Sequence, residues 1–170
     1  AGKLLIEGLA RIPTEAIHAS EFIYGDPIVS PTDVVIGVSQ SGATADTLQA
    51  VRLAKRIGAL TIGINNRVGS ALAREVGKGY GIYLHAGAEI AVASTKAFTA
   101  QVTVFALLAL RLAQLRKTGD PERLLRIAKA LENLPALIEQ SLATQEQVAS
   151  IAQEYAGASR VFCLGRGFAM

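Results

Sequence analysis

The sequence predicts an α/β fold, in which a parallel sheet is flanked by helices in a three-layer sandwich. The runs at 34–38 and 60–64 suit strands buried on both faces, the first being rich in β-branched residues, and 80–84 predicts a third strand. Helical patterns at 44–58, 69–76 and 94–115 follow these runs in turn, which is typical of βαβ units. Hydrophobic residues make up 51% of the 170 residues, enough for a sizeable core.

The remaining segments predict helices at both ends of the chain. Residues 2–11 have helical spacing up to Pro13, and residues 15–20 predict a short strand. Asp120 and Pro121 are a typical helix start, and Pro135 should split the helix predicted at 121–142. A further helix is predicted at 144–155, and a last strand at 160–164.

Composition excludes several classes of function. The net charge is only +3, and neither a basic run nor Trp occurs, so we expect no nucleic-acid partner. The single Cys163 favours a reducing, cytoplasmic compartment. Residues 97–110 predict a buried helix rather than a membrane span. Because His18 and His85 lack a second ligand at metal spacing, we expect no metal site. No cofactor is predicted either.

The loop after the first strand of the sheet carries the main candidate site. Ligands of such folds bind beyond the carboxyl ends of the strands. Three hydroxyls and a glycine that permits exposed N–H groups lie just before a helix, in the sequence Ser39-Gln40-Ser41-Gly42-Ala43-Thr44. Such a turn can hold a phosphate with neutral donors, although it is neither a P-loop nor a dinucleotide fingerprint. Alternatively, Ser41 or Thr44 is only an N-cap and Ser39 only ends a strand.

A second candidate loop lies before the long helix, at residues 88–96. Its small residues would let backbone approach a ligand closely. Ser94 either caps the helix or offers its hydroxyl to a ligand, and composition favours the cap. Glu89 and Lys96 have the pattern of ordinary surface charges, and Asp46 that of a charge complementing the dipole of its own helix.

Two stretches of sequence resemble a known family. Residues 39–47, SQSGATADT, resemble the phosphosugar-binding motif of sugar isomerase (SIS) domains. Residues 92–101, VASTKAFTAQ, are similar more narrowly to glutamine–fructose-6-phosphate aminotransferases, also called glucosamine-6-phosphate synthases. ASEF at 19–22 and GSALARE at 69–75 fit the same enzymes.

The resemblance implies a flavodoxin-like fold, a set of ligand contacts and a reaction. The phosphate of fructose 6-phosphate or glucosamine 6-phosphate would be held by the motif, and the sugar by the Val92 backbone and by Ser94. The implied substrate-binding residues are Ser39, Gln40, Ser41, Gly42, Thr44, Val92 and Ser94. The family makes glucosamine 6-phosphate from fructose 6-phosphate and ammonia released from glutamine, works as a dimer, and uses no cofactor.

The resemblance also implies what lies outside this chain. Residues 1–143 correspond to a first SIS domain lacking its own first strand, and 144–170 to a connecting helix and the opening strand of a second. The family's catalytic Lys, Glu and His belong to the second SIS domain or the C-terminal tail, so no catalytic residue is expected in this chain.

The predicted strand at 160–164 suggests how the missing strand is replaced. We expect the segment 160–165, from the same chain or by exchange with another copy, to fill the vacancy. Alternatively, the missing strand is part of a longer protein and lies outside this sequence. Ala43 and Ile23 depart from the Glu and Arg usual in the family. Two other readings remain: a sugar-phosphate deaminase or deglycase, and a sugar-phosphate sensor without catalysis.

Overall fold

The sheet of the protein is parallel, as the sequence predicts. The computed structural model describes residues 1–90, 93–162 and 164. Three strands, β1 (Val34–Ser39), β2 (Leu60–Asn65) and β3 (Gly81–Tyr83), pair in the order β1-β2-β3. Ser39 lies opposite Asn65, and Asn65 opposite Tyr83. The loops that follow the three strands therefore leave the sheet at one edge.

The connecting helices also follow the predicted alternation. They are α3 (Ala45–Ile57), which ends at Gly58 in the left-handed conformation, α4 (Ala71–Val76) and α5 (Lys96–Arg116). A buried cluster of Val51, Leu72 and Val76 joins α3 to α4. At Gly37 of β1 a Cβ atom would lie 2.6 Å from Cγ2 of Val51, so glycine lets α3 lie close to the sheet.

The chain divides into two compact units. One holds Pro13–Ala106, and so contains the sheet with α3 and α4. The other holds Lys3–Ile12 together with the chain from Leu107 onward. In this second unit the Thr118 hydroxyl donates to the Leu9 carbonyl over 2.9 Å, which links its two segments.

The predicted terminal helices are confirmed, with a π-helical segment that the sequence does not predict. α1 (Gly2–Leu5) continues into a π-helix at Ile6–Ala10, which ends at Arg11 in the left-handed conformation, before Pro13. Asp120 caps α6 (Pro121–Glu132) by accepting from two backbone amides. Asn133 separates α6 from α7 (Leu134–Leu142), as Pro135 predicts, and α8 is Gln145–Glu154.

Two predicted strands are wrong. Residues 15–18 form no strand, and α2 (Ala19–Tyr24) begins directly after them. Ile17 is the only β-branched residue in that run and is exposed, so a strand there would bury little. Residues 160–162 and 164 also form no strand, and their side chains are exposed. Cys163 lies outside the described residues.

One edge of the sheet is unpaired, on the side of β1 that faces away from β2. Among the described residues β1 pairs with β2 alone, so its other edge has unpaired N–H and C=O groups. The described residues of the predicted segment, 160–162 and 164, form no strand, which contradicts the expectation that the segment fills the vacancy within the same chain. Exchange of that segment between two copies stays a proposal.

The long helix α5 is less buried than the sequence predicts. Its buried positions Ala106, Ala109, Leu110 and Ala113 lie on one face, while Phe98 and Leu107 are exposed. In the part of the chain that the structure describes, α5 is the one helix long and apolar enough to cross a bilayer, and 22% of its most apolar window is buried. A single such helix is weak evidence for a membrane span, because the mostly buried core helix of a soluble protein passes the same test of length and composition.

An ion-pair cluster fastens α4 to α3. The Glu75 carboxylate accepts from Nε of Arg52 over 2.8 Å and lies 3.7 Å from Nζ of Lys55. Nζ of Lys55 also donates to the Glu75 carbonyl over 2.6 Å. The hydrogen bond from Arg52 holds the pKa of Glu75 below its usual value, against the opposing effect of desolvation.

We expect Glu75→Gln to reduce the free energy of unfolding by about 0.2–1 kcal/mol near neutral pH, the usual range for exposed pairs. Since the pKa of Glu75 is lower in the folded state, its contribution is complete above the usual pKa and is lost as pH falls through the lowered value. Urea unfolding from neutral to acid pH measures both effects. Glu15→Gln, at an exposed position, is the control, and an equal change in the two variants would contradict the assignment.

Candidate functional site

The loop after β1 is organised by its own hydroxyls. The Ser39 Oγ accepts from the Gly42 amide over 3.1 Å and lies 2.9 Å from Oγ1 of Thr44. The Ser41 Oγ accepts from the Ala43 amide over 3.2 Å. Gly42 is thus buried with its N–H bonded inside the loop, which corrects the expectation that this amide is exposed.

The same bonds leave hydroxyl hydrogens for a ligand. Either Ser39 donates to Thr44 or Thr44 donates to Ser39, so one of the two hydroxyl hydrogens stays unused in both cases. The Ser41 hydroxyl acts as an acceptor within the loop, is exposed, and keeps its own hydrogen. The loop therefore offers two hydroxyl donors without any charged side chain.

The start of α3 adds backbone donors to these hydroxyls. Thr44 is the N-cap residue, but its side chain makes no capping bond because its hydroxyl lies against Ser39. By contrast, Ser70 caps α4 and Asp120 caps α6. The reading of Thr44 as merely a cap is therefore wrong. The first amides of α3 keep their donor capacity and the positive end of the helix dipole.

The shape of the loop depends on a close approach at Gly42. Its φ is +64°, and a Cβ atom there would lie 2.3 Å from Oγ of Ser70 and 3.3 Å from Cβ of Asn65. The Gly42 carbonyl also accepts from the Leu72 amide over 2.8 Å. Glycine is required here both for its backbone conformation and for the space.

Two asparagines that the sequence analysis treats only as a turn hold the loops together. The Asn66 amide donates to the Gln40 carbonyl over 3.0 Å, and its side chain donates to the Gly87 carbonyl over 2.5 Å and accepts from the Ala86 amide over 2.8 Å. Asn65 beside it is fully buried and donates to the Arg67 carbonyl over 2.6 Å. Asn66 thus connects the loop after β1 with the segment after β3.

The second candidate loop is capped by Glu89 and not by Ser94. The Oε1 atom of Glu89 accepts from the amides of Ala97 and Thr95 over 2.9 and 3.0 Å, at the start of α5. Ser94 is exposed, and its hydroxyl lies 3.5 Å from the same oxygen. The prediction of Ser94 as the cap is therefore wrong, as is that of Glu89 as an ordinary surface charge. Val92 lies outside the described residues.

The electrostatics of this second loop differ from those of the first. The amide of Ala97 holds the pKa of Glu89 below its usual value, with smaller contributions from Thr95 and the ammonium of Lys96. Glu89 thus keeps its negative charge at the positive end of α5. The first amides of α5 are thus bonded to a carboxylate, whereas no side chain caps those of α3, which carries Asp46 in its first turn.

The described residues contain no group of side chains that could hold a metal ion. No cluster of three His, Cys, Asp or Glu occurs in the parts of the chain that the structure describes. Chemistry at this edge of the sheet therefore starts from hydroxyls, backbone amides and one carboxylate.

Comparison with known proteins now places the fold and the loop in a family. Residues 1–111 match the SIS domain. The chain belongs to the SIS domain family. The match includes the loop at 39–44, the Glu89 segment and most of α5, so the fold class predicted from the sequence is confirmed.

The whole chain is also similar to part of larger enzymes. It is 47% identical over 167 residues to a glutamine–fructose-6-phosphate aminotransferase of Bacteroides thetaiotaomicron, which covers 98% of this chain and 27% of the enzyme. The corresponding enzyme of Aquifex aeolicus is 48% identical over 165 residues, or 97% of this chain and 26% of the enzyme. The chain thus spans about a quarter of the length of these relatives, and its predicted resemblance to them is confirmed.

Solved structures agree with this assignment. The C-terminal domain of a glucosamine-fructose-6-phosphate aminotransferase from Francisella tularensis superposes with a TM-score of 0.82 and 33% identity, covering 91% of this chain and 43% of that one. A glucosamine-6-phosphate deaminase from Thermotoga maritima, with a TM-score of 0.66 and 24% identity over 85% of this chain and 42% of that one, shows the fold alone.

We expect Gly42→Ala to destabilise the SIS domain more than Gly69→Ala. Both positions have a positive φ, so both substitutions cost roughly 1–2 kcal/mol in backbone strain. Only Gly42 also meets Ser70, whereas nothing lies within 4 Å of a Cβ at Gly69. Chemical denaturation of the two variants measures the difference, and equal destabilisation would contradict the close approach described for Gly42.

Proposed function

We propose that this SIS domain binds a sugar phosphate, with the phosphate at the start of α3. The observation that carries the proposal is the uncapped start of α3 beside the Ser39–Thr44 hydroxyl pair. Phosphate oxygens accept hydrogen bonds, and every free group described at this point donates them. The positive end of the helix dipole stabilises the negative charge further.

The phosphate takes its hydrogen bonds from the loop residues in distinct ways. Ser41 donates its hydroxyl hydrogen, and the Ser39–Thr44 pair donates the one that their mutual bond leaves unused. The half-buried Gln40 adds a side-chain amide, while its carbonyl stays bonded to Asn66. Gly42 contributes the backbone shape and no hydrogen bond of its own amide.

The sugar lies toward the second loop. By resemblance to the family, the Val92 backbone and the Ser94 hydroxyl contact it. Ser94 is exposed, and its hydroxyl lies 3.5 Å from the Glu89 carboxylate, which is too long for a strong hydrogen bond, so it can turn toward a ligand. Asn66 ties the segment leading to this loop to the phosphate-binding loop, which keeps the two ends of the site at a set separation.

The reaction that we propose is the formation of glucosamine 6-phosphate from fructose 6-phosphate and glutamine. The support is the 47–48% identity to aminotransferases that carry this name. In this proposal the residues of the chain bind and orient the sugar phosphate, and the groups that move protons between sugar carbons lie elsewhere in the protein. The chain alone is expected to be inactive.

The proposal also covers the oligomeric state of the protein and its location in the cell. A cytoplasmic location agrees with the single Cys163. The proposed assembly is a homodimer, and the unpaired edge of β1 supports strand exchange through 160–165. Neither nucleic acid nor membrane is among the proposed partners. A deaminase would share the fold, but the identity to the aminotransferases favours the synthesis.

We expect the double variant Ser41→Ala/Thr44→Ala to weaken the binding of fructose 6-phosphate at least about tenfold for each hydrogen bond lost, since bonds to a charged phosphate contribute about 1.5–3 kcal/mol each. Isothermal titration with fructose 6-phosphate and with glucosamine 6-phosphate measures the change. An unaltered dissociation constant would refute the phosphate assignment.

The turn before β1 supplies a matched control. Ser30 and Thr32 also form a hydroxyl pair, 2.8 Å apart, but they lie at the opposite end of the strand. Ser30→Ala/Thr32→Ala removes as many hydroxyls and should leave sugar-phosphate affinity unchanged. If that variant weakens binding as much as the first, the loss reflects stability and not the site.

A further inference from the structure

The Glu89 carboxylate accepts hydrogen bonds both from the loop before α5 and from the start of that helix. Its Oε1 atom accepts from the backbone amides of Thr95 and Ala97. Its Oε2 atom lies 3.4 Å from Oγ1 of Thr95. These bonds connect one end of the loop before α5 to the other, and Ser94 lies just before the residues that they hold.

We propose that Glu89 is a positioning residue, which sets the place of Ser94 at the sugar end of the site by holding the backbone of Thr95 and Ala97. This inference rests on the proposed function, because it assigns Glu89 a role toward the sugar. The direct contact to the Ser94 hydroxyl, at 3.5 Å, is too long to orient that group. The effect passes instead through the two short bonds to the backbone on the α5 side of Ser94.

The charge of Glu89 strengthens these bonds. A carboxylate at the positive end of a helix accepts from its first amides more strongly than a neutral acceptor does. Lys96 adds a nearby cation, whose charge helps to lower the pKa of Glu89. The loop thus has a fixed anchor at each side, since Asn66 holds Ala86 and Gly87 and Glu89 holds Thr95 and Ala97.

A positioning role at the sugar end predicts a difference between two ligands. Inorganic phosphate occupies only the loop at 39–44, whereas fructose 6-phosphate also needs Ser94. In the intact protein Glu89→Ala should weaken fructose 6-phosphate by about threefold to tenfold, the loss of roughly one neutral hydrogen bond, and leave phosphate affinity unchanged. Glu89→Gln, which keeps an oxygen acceptor but no charge, should retain part of the affinity and also tests the idea if the alanine variant folds poorly.

Coupling to Ser94 separates this role from simple stabilisation. If Glu89 acts through Ser94, Glu89→Ala should have little further effect on fructose 6-phosphate binding once Ser94→Ala is present. Glu75→Ala is the matched control, because Glu75 is also a glutamate with a lowered pKa but joins α3 to α4. It should change neither affinity.

Two kinds of result would overturn the inference. Equal loss of both ligands in the Glu89 variants, no loss of either, or full additivity with Ser94→Ala would remove the role of Glu89 while leaving phosphosugar binding intact. If the unmodified protein binds neither ligand by titration calorimetry, the proposed function fails and this inference fails with it.

Discussion

The contact between Gly42 and Ser70 is the constraint on which the candidate site depends. It brings the loop after β1 against the start of α4 so closely that a single methyl group would not fit. With the loop held there, the Gly42 carbonyl meets the Leu72 amide, and Ser39 is free to bond to Gly42 and Thr44. Ser70 meanwhile caps α4. One glycine therefore determines both how the two helices approach and which amides remain available.

The helices that follow the strands use their positive ends differently. In α4 and α5 the side chains of Ser70 and Glu89 accept hydrogen bonds from the first amides. The Thr44 side chain makes no such bond at the start of α3. At α3, which carries Asp46 in its first turn, an anion finds unbonded amides, whereas the first amides of α5 are already bonded to a carboxylate. A ligand with a phosphate at one end and neutral hydroxyls at the other would thus have a preferred direction. Polarity of this kind is achieved with no arginine or lysine in the loop at 39–44.

Periodicity was sufficient to predict the layers of the SIS domain, because β1, β2, α3 and α4 each have a strong pattern and clear end residues. It failed at 15–20 and at 160–164, where a short run resembles a strand but the described residues have no partner strand. Strand formation depends on a neighbour, which a local pattern cannot contain. For a similar reason, only part of the candidate site could be predicted from the sequence. The Ser39–Thr44 motif is contiguous, whereas the roles of Asn66 and Glu89 depend on residues 20 and more positions away or across a turn.

The position of Asn65 and Asn66 at the end of β2 has a consequence for folding. Asn65 lies opposite Ser39 in the sheet, and Asn66 is bonded to Gln40 on one side and to Ala86 and Gly87 on the other. A slip of β2 by one residue would turn the buried Asn65 outward and break both connections at once. The register of the sheet and the arrangement of the two candidate loops therefore depend on the same two asparagines, so that an error in one would also disrupt the other.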